Sequence, residues 1–453
     1  MRAAIIVLLC LFSTSGWSEN NKLIVCENGL EMFNWDLEFI RHAEHSIEAL
    51  VCFFGGETAQ TLLAEIETRI KEVPQLQVHM LASPVFLQAS DLELLNRLQS
   101  QYPHNFHLEY HTQIVKLFPD LTTIDNHVKL VIIDEECFSV GGTNFEEHHC
   151  GVGTFTLPGK KETCAVDQLL PTSMRDQDVV GKGPLAVQLR KIFFHLYAIW
   201  EEYNQTCIFQ EDPDQFQGRT RYNPLSEKNI CLPQFDHSKR LRTLGHHQIN
   251  YFLGGPHQNQ NAIAEEYIRL IREAKEEIIL AHLYFFPTDP IFEALIDAVN
   301  RGVKLTLITN GLDDQSCGGA GLFIWANRMC YVPMFYGKTY HLCQASDAYL
   351  APLKNTSIYE YCVPNVILHK KMMLVDNRFF VVGSFNLGMK SAYGDYELIL
   401  SIDSEKVARD VLKVLQADLM HSRQVCPKEA LDWYFDPWFS FCGELQKRYS
   451  GFL

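Results

Sequence analysis

Two stretches of this chain place a histidine two residues ahead of a lysine and seven residues ahead of an aspartate. The six residues are His127, Lys129, Asp134, His369, Lys371 and Asp376. A histidine can act as a nucleophile or as a proton donor near neutral pH, and a lysine offers positive charge to phosphate oxygens. One histidine that attacks phosphorus and one that protonates the leaving alcohol complete a phosphodiester exchange, and this chemistry needs no metal ion or cofactor. We therefore predict one phosphodiester site that uses both stretches.

A short glycine-containing segment follows each stretch and adds further groups that suit phosphate oxygens. The two segments are Gly141-Gly142-Thr143-Asn144 and Gly383-Ser384-Phe385-Asn386. The amides of Asn144 and Asn386 and the hydroxyl of Ser384 are hydrogen-bond donors. Together with the two lysines, Lys129 and Lys371, they are the predicted phosphate-binding set.

Each stretch is predicted to form a buried hairpin. Side chains alternate along a strand, so a strand that starts at His127 places this histidine and Lys129 on one face. The apolar residues that follow occupy both faces, as in a strand covered on both sides. A polar turn at Asp134 leads to a return strand over residues 137–140, and residues 379–382 repeat it in the second copy. The aspartates Asp134 and Asp376 are expected to orient the hairpins.

The paired motifs resemble those of the phospholipase D superfamily, which is named for this histidine, lysine and aspartate signature. The resemblance implies an α/β protein with a duplicated phospholipase D fold, in which two α-β-α sandwich units with mixed sheets are related by a pseudo-twofold. It also implies a reaction through a phosphohistidine. In many relatives the histidine of the first motif is the nucleophile, which implies that His127 attacks while His369 is the acid and base.

Carboxylates are expected beside both histidines. The stretch from Arg175 to Pro184 is similar to one that follows the first motif in bacterial phospholipase D and cardiolipin synthase-like members, where its aspartate hydrogen-bonds the histidine of that motif. The resemblance carries this role to Asp176, with Asp178 as the less favoured choice. In the second half, a strand from Glu397 onward is expected to place that carboxylate near His369, with Asp395 as the alternative.

A duplication is visible outside the motifs as well. Residues 40–47 and residues 271–278 are similar octets, and each leads into an apolar strand, a helix and a further strand before its motif. We predict a signal peptide at 1–18, a first phospholipase D-like domain at 19–205, a linker at 206–245 and a second domain at 246–453. Because both motifs lie in one chain, a monomer suffices to form the site.

Composition adds expectations about compartment and partners. A short basic start and an apolar run over residues 3–12 indicate a secretory signal, so we expect a secreted or periplasmic protein. The 14 cysteines then suggest some disulfides, with Cys426 and Cys442 as one possible pair and Cys52 as a buried strand cysteine. The absence of a C-x-x-C pair argues against zinc. A net charge of −16 argues against broad binding to nucleic acid.

Three further segments leave alternatives open. His148 and His149 follow the first motif and are interpreted as part of a solvated loop. The aromatic-rich segment 311–366 lines the cleft or forms a packed flap, and the aromatic segment 433–441 packs on the domain or meets a membrane surface.

The sequence therefore predicts an exported, metal-independent phosphodiesterase that acts on phospholipid at a membrane surface. Its predicted reaction is hydrolysis of the head-group phosphodiester, the phospholipase D reaction. A phosphatidyltransferase of the cardiolipin synthase type is one alternative, because it uses the same residues. A metal-independent nuclease is the other, and the acidic charge makes nucleic acid the less favoured substrate.

Overall fold

The computed structural model describes residues 21–84, 87, 89–111, 114–116, 122–150, 174–206, 240–241, 248–255, 262–311, 321–338, 343, 350–363 and 366–449. The predicted signal peptide and most of the predicted linker lie outside the described residues.

The elements of the first half are β1 (Lys22–Cys26), α1 (Gly29–Arg41), β2 (Ser46–Val51), α2 (Gly56–Glu72), β3 (Gln77–Ala82), α3 (Ala89–Gln101), β4 (Phe106–Tyr110), β5 (Ile114–Lys116), β6 (Thr122–Asn126), β7 (Leu130–Ile133), β8 (Cys137–Gly141), α4 (Glu147–Cys150), β9 (Met174–Arg175), β10 (Asp178–Lys182) and α5 (Leu185–Thr206).

The elements of the second half are β11 (Arg240–Leu241), β12 (Gln248–Gly254), α6 (Ala262–Glu273), β13 (Glu277–His282), α7 (Asp289–Asn300), β14 (Lys304–Asn310), α8 (Gly321–Met329), α9 (Tyr331–Tyr336), β15 (Thr356–Tyr361), β16 (Ile367–Leu368), β17 (Lys371–Val375), β18 (Phe379–Gly383), α10 (Met389–Tyr393), β19 (Asp395–Asp403), α11 (Glu405–Met420), β20 (Ser422–Gln424), α12 (Pro427–Phe435) and α13 (Pro437–Tyr449).

The two halves repeat one sheet topology. The first sheet has the strand order β1-β10-β8-β7-β2-β3-β4, and the second contains β12-β19-β18-β17-β13-β14-β15 in the corresponding order. In each sheet three consecutive strands joined by helices run parallel, and the motif hairpin pairs antiparallel with the first of them. These mixed sheets confirm the predicted duplicated α/β fold.

Three apolar clusters hold the layers together. The central cluster joins residues of both halves, such as Leu130 and Val179 from the first and Leu374 and Leu400 from the second. Helices α5 and α11 contribute to this cluster. The other two clusters pack α1 and α2 on the outer face of the first sheet and α6 and α7 on the outer face of the second. Each sheet is thus covered on both faces, which explains the continuous apolar runs in its motif strands.

The motif aspartates anchor the hairpins. Asp134 has a φ of 55°, and its carboxylate accepts hydrogen bonds from three successive backbone amides, those of Glu44, His45 and Ser46, at 2.7–2.8 Å. Asp376 has a φ of 50° and accepts the three equivalent amides of residues 275–277. Each aspartate therefore ties its hairpin turn to the start of the neighbouring strand, which confirms the expected orienting role.

The strand prediction at His127 is wrong at its start, because β7 begins at Leu130. The chain just before His127 leaves the first sheet and pairs with the second: β6 runs parallel to β19, with Asn126 opposite Tyr396. The backbone N–H of His127 then donates to the carbonyl oxygen of Tyr396 at 3.0 Å. A hydrogen-bonded ladder between the halves thus displaces the histidine from its own sheet.

The same crossing occurs at the second motif. Strand β16, just before His369, runs parallel to β9 of the first half, with Leu368 opposite Arg175. The backbone N–H of His369 donates to the carbonyl oxygen of Arg175 at 2.8 Å. Both motif histidines are therefore held by backbone atoms of the opposite half.

Cys426 and Cys442, both in the described part of the chain, are not joined by a disulfide. The predicted pairing of these two residues is therefore wrong. Cys52 is buried, as predicted, but it lies one residue beyond the end of β2 and not in the strand. Within the described ranges, no helix combines the length and the apolar character needed to cross a bilayer.

Candidate active site

The two motif histidines line one small pocket between the halves. The pocket has a volume of about 100 Å³. Its lining residues are Cys52, Phe53, Asp125, His127, Leu283, Tyr284, Phe286, His369, Asn386, Gly388, Lys390, Ser391 and Asp395. Residues of both halves therefore form one site, as the paired motifs predict.

Asp176 is the carboxylate partner of His369. Its Oδ1 atom accepts a hydrogen bond of 2.6 Å from Nδ1 of His369, and Asp176 is fully buried. The prediction that Asp176 serves the histidine of the first motif is therefore wrong. The cause is the ladder described above: Asp176 directly follows β9, and β9 pairs with the strand that leads into His369.

Glu397 correspondingly belongs to His127. Its Oε1 atom lies 3.0 Å from Nδ1 of His127, although the expected partner was His369. Glu397 directly follows Tyr396, which pairs with the residue before His127. The carboxylates are therefore exchanged between the halves. Neither less favoured candidate contacts a motif histidine through a hydrogen bond: Asp178 accepts from Thr143, and Asp395 pairs with Lys390.

The two lysines are buried beside the histidines. Lys129 Nζ donates to the carbonyl oxygen of His127 at 2.7 Å, and Lys371 Nζ donates to that of His369 at 2.6 Å. Lys371 Nζ also lies within 3.1 Å of both ring nitrogens of His369. Burial lowers the pKa of Lys371 to about 7. Negative charge from a phosphate would favour its ammonium form.

Two asparagines follow the hairpins but have different surroundings. The Oδ1 atom of Asn144 accepts from the backbone N–H of Phe53 at 3.2 Å. Asn386 lines the pocket, and its Oδ1 atom is buried without a hydrogen-bond partner among the described residues. Ser384 donates its hydroxyl proton to Glu397 and accepts from the backbone N–H of Leu398. It therefore supports the carboxylate, while its contact with phosphate stays a prediction.

His149 is a site residue that the sequence analysis missed. It is 1% exposed, so the solvated-loop interpretation is wrong for it. Its Nδ1 atom donates to Oδ2 of Asp176 at 2.6 Å, and its Nε2 atom accepts from the amide of Asn144 at 3.1 Å. The position of His149 relative to the first motif could have indicated its role. His149 lies five residues after Asn144, and the residue at the equivalent position of the second half, Ser391, lines the pocket.

The titration of these groups follows from their burial. Burial lowers the pKa of both histidines well below the usual value. For His127 the neighbouring lysines lower the pKa further. Burial alone would raise the pKa of Asp176, but His369 and His149 hold it well below the usual range. Burial raises the pKa of Glu397 to about 7. His369 thus faces an ionised carboxylate, whereas His127 faces one that exchanges a proton near neutral pH.

Two groups of side chains bring possible metal-ligand atoms within 4.8 Å of one another. One is His149, Asp176 and His369, and the other is His127, Asp395 and Glu397. In the first, both histidines donate an Nδ1–H to the carboxylate. In this first group, the hydrogen bonds to Asp176 orient the two imidazole rings.

The described residues of the two aromatic-rich segments are not among those that line the pocket. In the segment 311–366, helix α9 packs into the outer core of the second half, so its described part is a packed flap. In the C-terminal segment, Trp433 lies under the guanidinium of Arg328 with a distance of 3.8 Å to the ring centroid. Helix α13 nevertheless exposes Trp438, Phe441 and Leu445, which share one face.

Comparisons with known proteins find similarity to cardiolipin synthases in sequence and to a phosphatidylserine synthase in structure. A family model described as "Cardiolipin synthase, PLD-like domain" matches residues 267–419. Cardiolipin synthase 1 of Staphylococcus epidermidis (strain ATCC 12228) is 24% identical over 423 residues, which are 92% of this chain and 71% of that protein. Cardiolipin synthase A of Yersinia pseudotuberculosis (serotype O:3) is 25% identical over 203 residues, or 42% of this chain and 37% of that protein.

Among solved structures, phosphatidylserine synthase of Haemophilus influenzae Rd KW20 superimposes with a TM-score of 0.65 and 14% sequence identity. The match covers 94% of this chain and 95% of that one. It supports the duplicated fold.

Proposed function

We propose, from the premise that the chain is a member of the phospholipase D superfamily, that it transfers a phosphatidyl group from one phospholipid to the hydroxyl of an acceptor alcohol. The observation that carries the proposal is the convergence of His127 and His369, each with a carboxylate from the opposite half, on one pocket beside two lysines. The similarity to cardiolipin synthases supports transfer over the hydrolysis that the sequence analysis favoured.

The first step is attack on phosphorus by Nε2 of His127. A neutral imidazole bonded through Nδ1 leaves its Nε2 lone pair available. Its partner Glu397, whose pKa burial raises to about 7, accepts the Nδ1–H and so keeps the lone pair on Nε2. Lys371 Nζ lies 3.1 Å from Nε2 of His369, so this second histidine is less available for attack. These contacts support His127 as the nucleophile.

Protonation of the leaving alcohol falls to His369. The bond from phosphorus to the leaving oxygen breaks as the new bond from phosphorus to nitrogen forms, and the proton on Nε2 of His369 moves to the departing oxygen. Burial alone lowers the pKa of His369, but the ionised carboxylate of Asp176 and the negative charge of a bound phosphodiester both favour the imidazolium that this step consumes. The bound phosphodiester also offsets the positive charge of Lys129 and Lys371. These lysines and the amide of Asn386 are the proposed stabilisers of the growing charge on phosphorus.

The second step reverses the first with a different alcohol. Neutral His369 takes the proton of the acceptor hydroxyl, the acceptor oxygen bonds to phosphorus, and the bond to Nε2 of His127 breaks. Water in place of the alcohol would give phosphatidic acid, which is the phospholipase D reaction. Transfer and hydrolysis therefore differ only in the occupant of the acceptor position.

Helix α13 provides the proposed contact with the bilayer that contains the substrate. Trp438 is 67% exposed and Phe441 is 58% exposed, and Leu445 continues the same face one turn on. Exposed aromatic rings on an amphipathic helix suit the boundary between head groups and acyl chains. Two basic residues, Lys447 and Arg448, follow in the sequence and suit anionic lipid.

The function is tested with purified protein and phosphatidylglycerol vesicles in the presence of a chelator. Transfer releases glycerol and forms a lipid with two phosphates, whereas hydrolysis forms phosphatidic acid. His127→Ala and His369→Ala should each abolish product, and His45→Ala, at an exposed histidine, should have no effect. Phosphatidic acid as the only lipid product at all acceptor concentrations would refute transfer. Product formation by His127→Ala would refute the mechanism.

A further inference from the structure

A buried charged group lies in the pocket beside His127 and has no part in the steps above. Lys390 Nζ lies 3.0 Å from Oδ1 of Asp395 and 4.0 Å from Oδ2 of Asp125. The three side chains are at most 15% exposed, and all three line the pocket. Burial of charged groups is unfavourable unless other interactions compensate for the lost hydration. Their position therefore requires an explanation in either the fold or the ligand.

The duplication shows that the fold does not require acids at these positions. Asp125 and Asp395 face each other where β6 pairs with β19, two residues before His127 and Glu397 respectively. The equivalent pair in the other ladder, two residues before His369 and Asp176, is Ile367 and Met174. One ladder thus accommodates two apolar residues at the positions where the other ladder has two carboxylates. The acidic pair occurs only in the ladder beside His127, so pairing between the halves does not require it.

Asn386 gives a second, independent indication of a ligand. It is 9% exposed and lines the same pocket, yet its Oδ1 atom has no hydrogen-bond donor among the described residues. The equivalent atom of Asn144 accepts from a backbone N–H. A buried carbonyl oxygen without a donor is unfavourable, and a ligand hydroxyl would provide the donor.

The charges of the group favour a neutral ligand. Lys390 offsets one of the two carboxylates, and burial raises the pKa of Asp395 to about 8. The group therefore offers hydrogen bonds with little net negative charge. A quaternary ammonium or ethanolamine head group would meet the ammonium of Lys390, whereas neighbouring hydroxyls can donate to the carboxylate and amide oxygens and accept from Lys390.

We propose that Asp395, Lys390 and Asn386 form the subsite that recognises the neighbouring hydroxyls of a glycerol moiety on the acceptor. The subsite orients one hydroxyl toward the phosphohistidine while the others bind the charged group. This inference rests on the proposed transfer function and names the class of acceptor.

The purified protein is incubated with phosphatidylcholine as the donor in detergent micelles, and glycerol and ethanol are supplied together as acceptors. The ratio of the two transfer products is then measured. The test variant combines Asp395→Met with Lys390→Met, which removes both hydrogen-bonding groups. It introduces at 395 the residue that the other half has at its equivalent position, Met174. The control combines Asp410→Leu with Lys413→Met, an ion pair whose side chains are 46% and 75% exposed.

We expect the wild type and the control to favour glycerol by the same factor. The test variant should lose about tenfold or more of this preference, since a hydrogen bond to a charged group typically changes affinity by such a factor. A ratio within twofold of the wild-type value would overturn the subsite while leaving transfer established. Hydrolysis without transfer to either alcohol by the wild type would overturn the proposed function itself. Asp395→Asn, which preserves size, should lower the ratio at least threefold, so a folding defect in the double variant leaves the inference testable.

Discussion

The exchange of carboxylates between the halves gives Asp176→Asn and Glu397→Gln different expected effects. Asp176 accepts hydrogen bonds of 2.6 Å from both His369 and His149, and all three residues are buried. The substitution Asp176→Asn preserves the shape of the side chain and removes the charge. The imidazolium of His369 then loses its ionised partner, so its pKa falls and less of the acid form is present at neutral pH.

The magnitude follows from the type of hydrogen bond. A bond to a charged group contributes about 1.5–3 kcal/mol, against about 0.5–1.5 kcal/mol for a neutral pair. We take a loss of about 2 kcal/mol, which corresponds to about a 30-fold decrease in the rate of alcohol release. The limb of the pH profile that reports the acid should also move to lower pH by about 1.5 units, because one pKa unit corresponds to about 1.36 kcal/mol.

The assay compares two leaving groups in a rapid-mixing experiment. With a phosphatidyl ester of p-nitrophenol, the leaving group departs without a proton, so the first burst of product should be nearly normal in Asp176→Asn. Glu397→Gln perturbs the attacking residue His127, so the burst should be slow with both the activated and the natural substrate. Asp410→Asn, at a half-exposed position on α11, is the control. A rescued burst in Glu397→Gln combined with a slow burst in Asp176→Asn would refute the assignment of roles.

Three further outcomes test separate parts of the account. Asp134→Ala removes the acceptor of three backbone amides, so the free energy of unfolding should fall by about 2–4 kcal/mol in denaturant titration; a loss below 0.5 kcal/mol would contradict the anchoring role. Burial raises the pKa of Glu397 from 4.5 to about 7, so its ionisation opposes folding as the pH rises from about 4.5 to about 7. Glu397→Gln should therefore be more stable than the wild type by up to about 3 kcal/mol at pH 8 and little changed at pH 4. Equal stability of the two proteins at both pH values would show that the carboxylate is not destabilising. Trp438→Ser combined with Phe441→Ser should weaken sedimentation with phosphatidylglycerol vesicles about tenfold or more while leaving activity on a soluble, short-chain substrate intact, and unchanged sedimentation would exclude this face as the membrane contact.

The local features of the fold were predictable because they depend on sequence patterns that extend over only a few residues. The hairpin turn at Asp134 and the return strand follow from turn residues and periodicity close together in the chain. The duplicated topology follows from the repeat of those patterns in both halves. The two motifs could therefore be placed at one site before any contact between them was known.

The partners of the histidines were not predictable in the same way. Which histidine each carboxylate contacts depends on a β-ladder between the halves, and each ladder contains only two residue pairs. No local sequence pattern predicts which half such a short strand will pair with. His149 was missed for a related reason: its burial depends on Asp176, which lies 27 residues further along the chain. Residues that act through long-range polar contacts resemble loop residues in the sequence alone.

The most direct test of the central claim is to trap the covalent intermediate and follow its fate. The wild type is mixed briefly with a phospholipid labelled in its phosphatidyl group, quenched in alkaline denaturant and mapped by mass spectrometry. A second sample receives excess phosphatidylglycerol before the quench. We expect label on His127 in the first sample. In the second sample we expect this label to be lost as the transfer product forms. Label on His369 alone, or label that passes only to phosphatidic acid in the presence of acceptor, would contradict this expectation.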